Sequence, residues 1–213
     1  MNDRTPGVPS VTVRNEPVQA RAAHRIEALL DAAAAVVEEH GIEHLTTALV
    51  AERAGASIGT VYRYFPDRVA VLVALAERNL ERMRFAIERV LVAEHESWVD
   101  AMEAMVAAMV ETFREVPSFR ALRTGEGLDL GPQDRDPVAP LFVDDLAGYL
   151  HERWGVTLDT ERRERLELGI GGLDALVTYA FLHDPDGDPR YLAFGLQLAH
   201  EQLDGLIPVA RDA

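Results

Sequence analysis

Apolar residues recur at helical spacing along most of this chain, beginning with Ile26, Leu29, Leu30, Ala33 and Val37. A spacing of three or four residues places such side chains on one face of an α-helix. The same spacing returns in later segments, and none of them shows the sustained alternation that is typical of a strand. The sequence therefore predicts an all-α protein of about nine helices joined by short connections.

Glycines and capping residues divide this apolar pattern into separate helices. Gly41 and Gly155 each follow a periodic segment, as glycine often does just past the end of a helix. Ser57 and Ser97 each precede such a segment, where a hydroxyl caps the first turn. The helices are expected at about residues 18–40, 46–54, 57–64, 67–94, 98–116, 117–123, 137–154, 159–182 and 189–206.

Three parts of the chain follow from this division. Residues 1–17 lack helical periodicity and end at Pro17, which predicts a flexible arm. Residues 18–66 combine one long helix with two short ones and are expected to form a small N-terminal domain. Residues 67–213 are expected to form a larger helical domain.

The net charge of −15 at first argues against a nucleic-acid partner. The charge is unevenly distributed, however, with −2 over residues 1–70 and −13 over residues 71–213. A nearly neutral N-terminal domain still permits DNA binding through local arginines. Since the sequence has no cysteine, no secretory-type N-terminus and no apolar run of about 20 residues, a soluble cytoplasmic protein is expected.

The segment from Thr46 to Phe65 has the pattern of a helix-turn-helix. Gly55 permits a tight turn between two short helices, and Ala51 is small where another helix must cross closely. Buried positions are expected at Val50, Ala51, Ala54, Val61 and Phe65, and projecting side chains at Thr60, Tyr62, Arg63 and Tyr64. Exposed hydroxyls and an arginine on the second short helix suit insertion into a DNA major groove.

This segment resembles the tetracycline-repressor (TetR) family of bacterial regulators. The residues that carry the resemblance are Ala54, Gly55, Ser57, Gly59, Thr60, Tyr62, Tyr64, Phe65, Arg68 and Leu72. Beyond residue 80 only the length and the helical character match. The resemblance implies a DNA-binding N-terminal domain over residues 18–66 and a ligand-sensing and dimerisation domain over residues 67–213.

The resemblance also implies roles for individual residues. Those on the side facing the groove are Thr47, Ala48, Ile58, Gly59, Thr60, Arg63 and Tyr64, and those on phosphates are Tyr62 and Arg68. Ala48 and Ile58 are apolar where many members carry a polar or basic base reader, so Arg63 is the only charged one. Arg21 and Arg25 on the first helix and Arg14 in the arm are further candidates for contact with DNA.

A stripe of methionine and aromatic residues marks the larger domain. Trp98, Met102, Met105, Met109 and Phe113 recur at helical spacing, and Phe142, Tyr149 and Tyr179 are candidates to complete the same surface. One interpretation is an ordinary core. The other is the wall of a cavity for an apolar or amphipathic ligand, because flexible methionines and broad aromatic rings adapt to varied shapes. Arg123, Glu126 and His151 are candidate polar anchors.

Gly169, Gly172 and Ala175 recur every third residue on one helix, and such small residues allow another helix to approach closely. The resemblance implies a dimer interface on the last two helices, which would form a four-helix bundle with a second copy. The alternative is close packing within one subunit.

The sequence and the resemblance together indicate a homodimeric repressor of a pseudo-palindromic DNA operator, released by a small apolar or amphipathic effector. The alternative is a small-molecule-binding module with weak or lost DNA binding, which the acidic charge and the apolar Ala48 and Ile58 favour. An enzyme is not expected, because the G-x-S-x-G match at 55–59 lacks the strand which that motif requires. No catalytic residue, cofactor, metal site or membrane partner is predicted.

Overall fold

The computed structural model describes residues 16–124 and 138–203, and all regular secondary structure in these two ranges is helical. The predicted all-α fold is confirmed. The helices are α1 (Glu16–His40), α2 (Thr47–Arg53), α3 (Ile58–Tyr64), α4 (Arg68–Leu91), α5 (Trp98–Glu115), α6 (Pro117–Thr124), α7 (Val138–Trp154), α8 (Thr160–Ala180) and α9 (Pro189–Leu203). None of these described helices is long and apolar enough to cross a membrane.

Side-chain caps fix the starts of the two short helices. The hydroxyl of Thr46 accepts a hydrogen bond from the backbone N–H of Leu49 at 3.1 Å. The hydroxyl of Ser57 does the same for the backbone N–H of Thr60 at 3.2 Å. Because these bonds satisfy N–H groups that a helix leaves unpaired in its first turn, α2 and α3 begin where the sequence predicts.

Some helix boundaries differ from the sequence prediction. α1 begins at Glu16, so Pro17 lies in its first turn, where the N–H that proline lacks has no helical partner to lose. α4 ends at Leu91 and not near Glu94. Residues 1–15 of the arm expected over 1–17, residues 125–136 of the loop expected over 124–136, and the last three residues of the 189–206 helix lie outside the described residues.

A short 3-10 turn over Ile42–His44, which the sequence pattern did not indicate, joins α1 to α2. It follows Gly41, whose φ of +83° is a conformation that favours glycine. The turn buries Ile42, and Leu45 directly after it is fully buried. The connection is therefore held by apolar packing and adds to the N-terminal core.

One apolar core joins α1, α2 and α3 to the first two turns of α4. Leu29, Val50, Val61 and Leu75, one from each helix, are fully buried in it. α6 packs against the same core through Ala121 and Leu122, although it lies far along the chain. The N-terminal core thus extends beyond residue 66, where the domain boundary is expected, and includes part of α4.

The rest of α4 packs with α5, α7, α8 and α9 around two further apolar clusters. α8 and α9 are antiparallel neighbours: Gly169 lies near Gln202, and Gly172 lies near Leu198. Since α4 contributes Leu75 to the N-terminal core and Met83 to a cluster of the body, this single helix connects the two parts.

A buried arginine ties α4 to α1. Arg78 is 7% exposed and donates hydrogen bonds to the backbone carbonyl of Leu30 at 3.1 Å and to the carboxylate of Asp31 at 2.7 Å. Glu27 lies within 3.4 Å of the same guanidinium group. A buried guanidinium requires such partners, because its desolvation is unfavourable without them.

We expect Arg78→Ala to lower the free energy of unfolding by about 1–3 kcal/mol, because buried hydrogen bonds and the packing of the arginine stem are lost together. Urea unfolding followed by circular dichroism measures this change. Arg82→Ala is the control, since Arg82 is 52% exposed and lies 3.8 Å from Asp31. The control should lose at most about 0.5 kcal/mol, and an equal loss in both variants would contradict the argument.

Candidate nucleic-acid interface and ligand cavity

The α2–turn–α3 unit is held by its own backbone and by buried side chains. Gly55 adopts a φ of +58°, and the backbone N–H of Ala56 donates to the carbonyl of Ala51 at 2.9 Å across the turn. Val61 is fully buried on the inner side of α3, and Phe65 is 6% exposed just after it. The inner side of α3 is therefore fixed against the core, which leaves its outer side to face solvent.

The outer side carries the residues for which the resemblance implied contact with DNA. The exposed ones are Ala48, Ile58, Gly59, Tyr62, Arg63 and Arg68, and the partly buried ones are Thr47, Thr60 and Tyr64. Ile58 and Tyr62 are 48% and 52% exposed, so neither is a core residue. The hydroxyl of Thr47 donates to the phenolic oxygen of Tyr62 at 3.3 Å, which joins the start of α2 to the middle of α3.

Arg68 has a structural contact that the sequence did not indicate. Its guanidinium donates a hydrogen bond to the backbone carbonyl of Ile42 at 2.7 Å, which joins the start of α4 to the turn before α2. The rest of its side chain is exposed. Because a guanidinium has five N–H donors, this bond leaves others available to a phosphate group.

A shallow groove between α1 and α3 gathers basic residues beside the outer side of α3. Arg21, His24 and Arg25 from α1 line it together with Arg63 and Thr60 from α3. Within residues 16–124 and 138–203, none of these three arginines has an ion-pair partner. The groove therefore concentrates positive charge in a protein whose net charge is −15. Arg14 lies outside the described residues.

The helical body forms a cavity of about 620 Å³, open to solvent on one side, between α4, α5, α7, α8 and α9. Six of the eight residues predicted to line a ligand site are on its wall: Trp98, Met102, Met105, Met109, Phe142 and Tyr149. A cavity of this size is within the range of small-molecule sites. The methionine and aromatic stripe thus lies along an open space, and its contact with a ligand remains a prediction.

Two of the predicted lining residues, Phe113 and Tyr179, lie elsewhere. Phe113 is fully buried, with its ring centroid 4.9 Å from those of both Phe119 and Phe181. Tyr179 is 54% exposed on the outside of α8, 5.1 Å from the ring of Tyr191. Helical spacing on α5 identifies a common face but does not show where along the helix the cavity ends, and Tyr179 on α8 faces solvent. Neither residue therefore lines the cavity.

Buried polar atoms without partners mark the two ends of the cavity. The indole N–H of Trp98 and the phenolic oxygen of Tyr149 find no hydrogen-bond partner among the described residues, and both rings pack edge-on against Trp154. At the other end, one oxygen of Asp174 is buried and also lacks a partner there. The Oδ2 atom of Asp174 accepts a hydrogen bond from Arg123, so the oxygen without a partner is Oδ1.

Asp174 was missed by the sequence analysis, although it is a lone charged residue in an apolar segment, residues 168–182. That isolation is the signal that could have identified it. Of the predicted polar anchors, Arg123 is near the cavity only through its ion pair with Asp174. His151 is exposed on α7, and Glu126 lies outside the described residues.

The small residues of α8 divide between two surfaces. A side chain added at Gly172 would lie 3.3 Å from Leu198 of the same chain, and one at Gly169 would lie 3.5 Å from Gln202. These two glycines therefore serve the α8–α9 packing within one subunit, which was the alternative to their predicted role in a dimer. Only Ala175 lies on the exposed side of α8.

The outer sides of α8 and α9 expose large apolar side chains. Leu168 is 77% exposed, Tyr179 54% and Phe194 56%, and Ala175 lies on the same side of α8 as the first two. Residues 168, 175 and 179 share one helical face because their separations are close to whole turns. We call these four residues the outer α8–α9 face.

A family model described as bacterial regulatory proteins of the tetR family matches residues 29–75. A second, described as a tetracyclin repressor-like C-terminal domain, matches residues 96–204. The chain belongs to the TetR family. The first match coincides with the N-terminal core and its helix-turn-helix, and the second with the helical body that contains the cavity. The TetR resemblance expected from the sequence is thus confirmed, and the chain has the N-terminal and C-terminal domains of that family.

Individual TetR-family proteins align to different extents. The HTH-type transcriptional repressor KstR of Mycolicibacterium smegmatis is 39% identical over 69 residues, which are 32% of this chain and 34% of KstR. The chain therefore matches about a third of the length of that relative. The crystal structure of a TetR-family transcriptional regulator from Streptomyces coelicolor is 31% identical, with a TM-score of 0.68 over 86% of this chain and 99% of that chain. The fatty acid degradation regulator FadR from Bacillus halodurans shares the fold at 23% identity and a TM-score of 0.64, over 85% and 96% of the two chains.

Burial in the wall of the TetR-family cavity raises the pKa of the Tyr149 phenol above its ordinary value of 10.0, and Arg153 partly offsets the effect. The folded state thus holds this proton more tightly than the unfolded chain does. The corresponding stability is fully present below about pH 10 and is lost as the pH rises through the raised pKa. We expect the free energy of unfolding of the wild type to fall more steeply above pH 10 than that of Tyr149→Phe. Urea unfolding at stepped pH measures both slopes, and parallel curves would show that the phenol is solvated.

Proposed function

We propose that this TetR-family regulator is a homodimeric repressor that binds a pseudo-palindromic operator and is released by a small amphipathic effector. The observation that carries the DNA-binding part is the exposed outer side of α3, with Arg63 next to the arginine-lined groove of α1. Repression is supported by the KstR relatives, whose name describes a transcriptional repressor. The effector is supported by the apolar cavity in the body.

The residues of the proposed interface divide into two roles. Arg63 projects from the last turn of α3 and is proposed to read a guanine, while Thr60 and Ile58 provide a hydroxyl and a contact for a thymine methyl group. Tyr62 and Arg68 are proposed to bind phosphates, which position a protein on DNA without reading its sequence. Arg21 and Arg25 border the same surface and are proposed as additional phosphate contacts.

The outer α8–α9 face is the proposed dimer interface. Three large apolar side chains that are more than half exposed on one surface are unfavourable in water, and a second copy would cover them. A twofold axis through this face brings two copies of α8 and α9 into a four-helix bundle. The two α3 helices would then enter successive major grooves about 34–36 Å apart.

Two contacts support a route from the cavity to the DNA. Arg123 on α6 pairs with Asp174 on the cavity wall, while Ala121 and Leu122 of α6 pack against the N-terminal core. Arg78 on α4 holds α1 directly. The two α3 helices of a dimer would have one spacing that fits the operator and another that does not. An effector that binds the second form more tightly would shift the dimer away from the DNA-competent form, and the size of the shift is limited by the difference between its affinities for the two forms.

A second candidate is a ligand-binding module of the same fold that binds DNA weakly. The net charge of −15 and the exposed apolar Ala48 and Ile58 favour it. A gel shift with DNA from upstream of the protein's own gene separates the two candidates. A salt-sensitive, sequence-selective shift supports the repressor, and no shift at micromolar protein supports the module.

Arg63→Ala should lower affinity for a selected operator by about 1–3 kcal/mol per contact and lower affinity for random DNA less, so the specificity ratio falls. Arg68→Ala should weaken binding to both DNAs alike. It should also reduce the slope of log affinity against log salt concentration by about one unit per subunit. Fluorescence anisotropy with operator and scrambled duplexes at several salt concentrations measures both effects.

Arg68→Ala also removes the bond to the Ile42 carbonyl, so its stability must be measured separately. We expect a loss of about 1 kcal/mol in the free energy of unfolding, with the protein still folded at 25 °C. If Arg63→Ala lowered the affinity for both DNAs equally, Arg63 would be a phosphate contact. Base reading would then be assigned to Thr60, Tyr64 and Ile58.

Phe194→Asp should convert the wild-type dimer to a monomer at micromolar concentration, because it places a charge in the outer α8–α9 face. Val69→Asp is the matched control, since Val69 is 46% exposed in the first turn of α4, in the part of that helix that packs with the N-terminal core. Sedimentation velocity distinguishes the two variants. Gly172→Arg is not a clean probe, because a side chain there would disturb Leu198 within the subunit. A monomeric wild type would contradict the proposed dimer outright.

A further inference from the structure

The wall of the cavity differs in chemistry between its two ends along α8. Trp98 and Tyr149 at one end belong to the apolar cluster that also contains Leu166 of α8. Asp174 lies eight residues further along α8, toward the cluster that contains Met109. At 1.5 Å of rise per residue, the two ends are separated by about 12 Å along this helix. Apolar side chains, including Met105 and Ile170, line the wall between them.

Asp174 is the least exposed charged residue that lines this cavity. Its side chain is 17% exposed, and one carboxylate oxygen accepts a hydrogen bond from Arg123. The same guanidinium nitrogen also donates to the hydroxyl of Thr178 at 3.2 Å. The second oxygen of Asp174 has no hydrogen-bond partner among the described residues. A buried carboxylate oxygen requires a donor, so this end of the cavity is suited to a ligand group that carries N–H or O–H.

The opposite end offers donors. The indole of Trp98 is 8% exposed, and its N–H has no acceptor among the described residues. The phenolic group of Tyr149 is similarly buried and unpartnered there. Because an indole N–H donates only, this end is suited to a hydrogen-bond acceptor or to the face of an aromatic ring.

The ionic groups along the cavity favour a cation over an anion. Arg84 pairs with Asp145 at 2.7 Å, and Arg163 pairs with Asp144, so these charges offset each other. Three more lining carboxylates, Glu81, Glu88 and Glu152, have no ion pair among the described residues. One lining arginine, Arg165, also has none there, so carboxylates remain in excess. An anionic head group would meet this excess of negative charge and Asp174 itself, whereas a cation is attracted by both.

We propose that the cavity binds an elongated, amphipathic cation whose amine or ammonium group donates to the free oxygen of Asp174. This inference rests on the effector site of the proposed function and defines the chemical class of its ligand. Arg123 keeps the other oxygen of Asp174, so ligand and guanidinium share one carboxylate. The apolar part of the ligand lies along the methionines of α5, and its far end reaches the indole of Trp98.

Three probes with the same alkyl chain test the head-group preference: decylammonium, decanol and decanoate, used below the concentrations at which they form micelles. The two tryptophans of the chain, Trp98 and Trp154, pack together at one end of the cavity, so intrinsic fluorescence reports directly on this site. The full-length protein should bind decylammonium at least about tenfold more tightly than decanoate, with decanol in between. Tightest binding of decanoate, or no binding of any probe, overturns the proposal.

Asp174→Asn tests the anchor. The substitution should weaken the binding of decylammonium by about tenfold and the binding of decanol by less than about threefold, because the amide keeps an acceptor but loses the charge. Asp186→Asn is the control: it removes the same charge from an exposed side chain that does not line the cavity, and it should change decylammonium binding by less than about twofold. If Asp174→Asn weakens the binding of all three probes equally, the proposal that Asp174 anchors the cationic group is overturned. Should that variant fail to fold, the order of the three probes on the wild type still decides the ligand class.

Operator affinity measured in the same samples keeps this inference separate from the proposed function. Decylammonium that binds in the predicted order and releases the operator supports both. Decylammonium that binds in that order without changing operator affinity supports the ligand class and contradicts the effector response. Decanoate that binds most tightly and releases the operator supports the effector response and overturns the ligand class.

Discussion

The packing of α4 into two cores is the constraint on which the rest of this structure depends. Leu72 and Leu75 at its start are buried with α1, α2 and α3, while Met83 and Leu91 further along are buried with the body. Close-packed cores do not deform continuously, so a shift of the body along α4 displaces the N-terminal domain as a unit. Arg78, between these two groups, adds a directional contact to α1 that apolar packing alone does not provide.

Much of this fold follows from local sequence signals. Thr46, Ser57 and Gly55 set the ends of the short helices through bonds within a few residues, so their pattern predicted α2 and α3 closely. The cavity was harder to predict, because it depends on how five helices meet. The stripe on α5 identified the correct face but extended one turn too far, to Phe113. The sequence did not indicate that Asp174 is paired with Arg123 through one oxygen while its other oxygen has no partner among the described residues.

The charge of the chain illustrates the same difference between local and global properties. A net charge of −15 describes the average surface, and most of that charge belongs to the body. The groove between α1 and α3 brings Arg63 beside Arg21 and Arg25, from which it is far apart in sequence. Electrostatic attraction to a phosphate depends on charges within about a Debye length, roughly 8–10 Å, so this local group outweighs the distant acidic residues.

The position of Asp174 links the chemistry of the cavity to the mechanics of the DNA-binding domain. Its partner Arg123 lies at the end of α6, and the residues just before it, Ala121 and Leu122, pack against the N-terminal core. A cation that shares the carboxylate weakens its attraction for Arg123, because the charge of one carboxylate is then divided between two cations. With the proposed ligand bound, the first element to respond would be α6, which already contacts the core that orients α3. Recognition of the ligand charge and transmission of the signal would thus use the same ion pair.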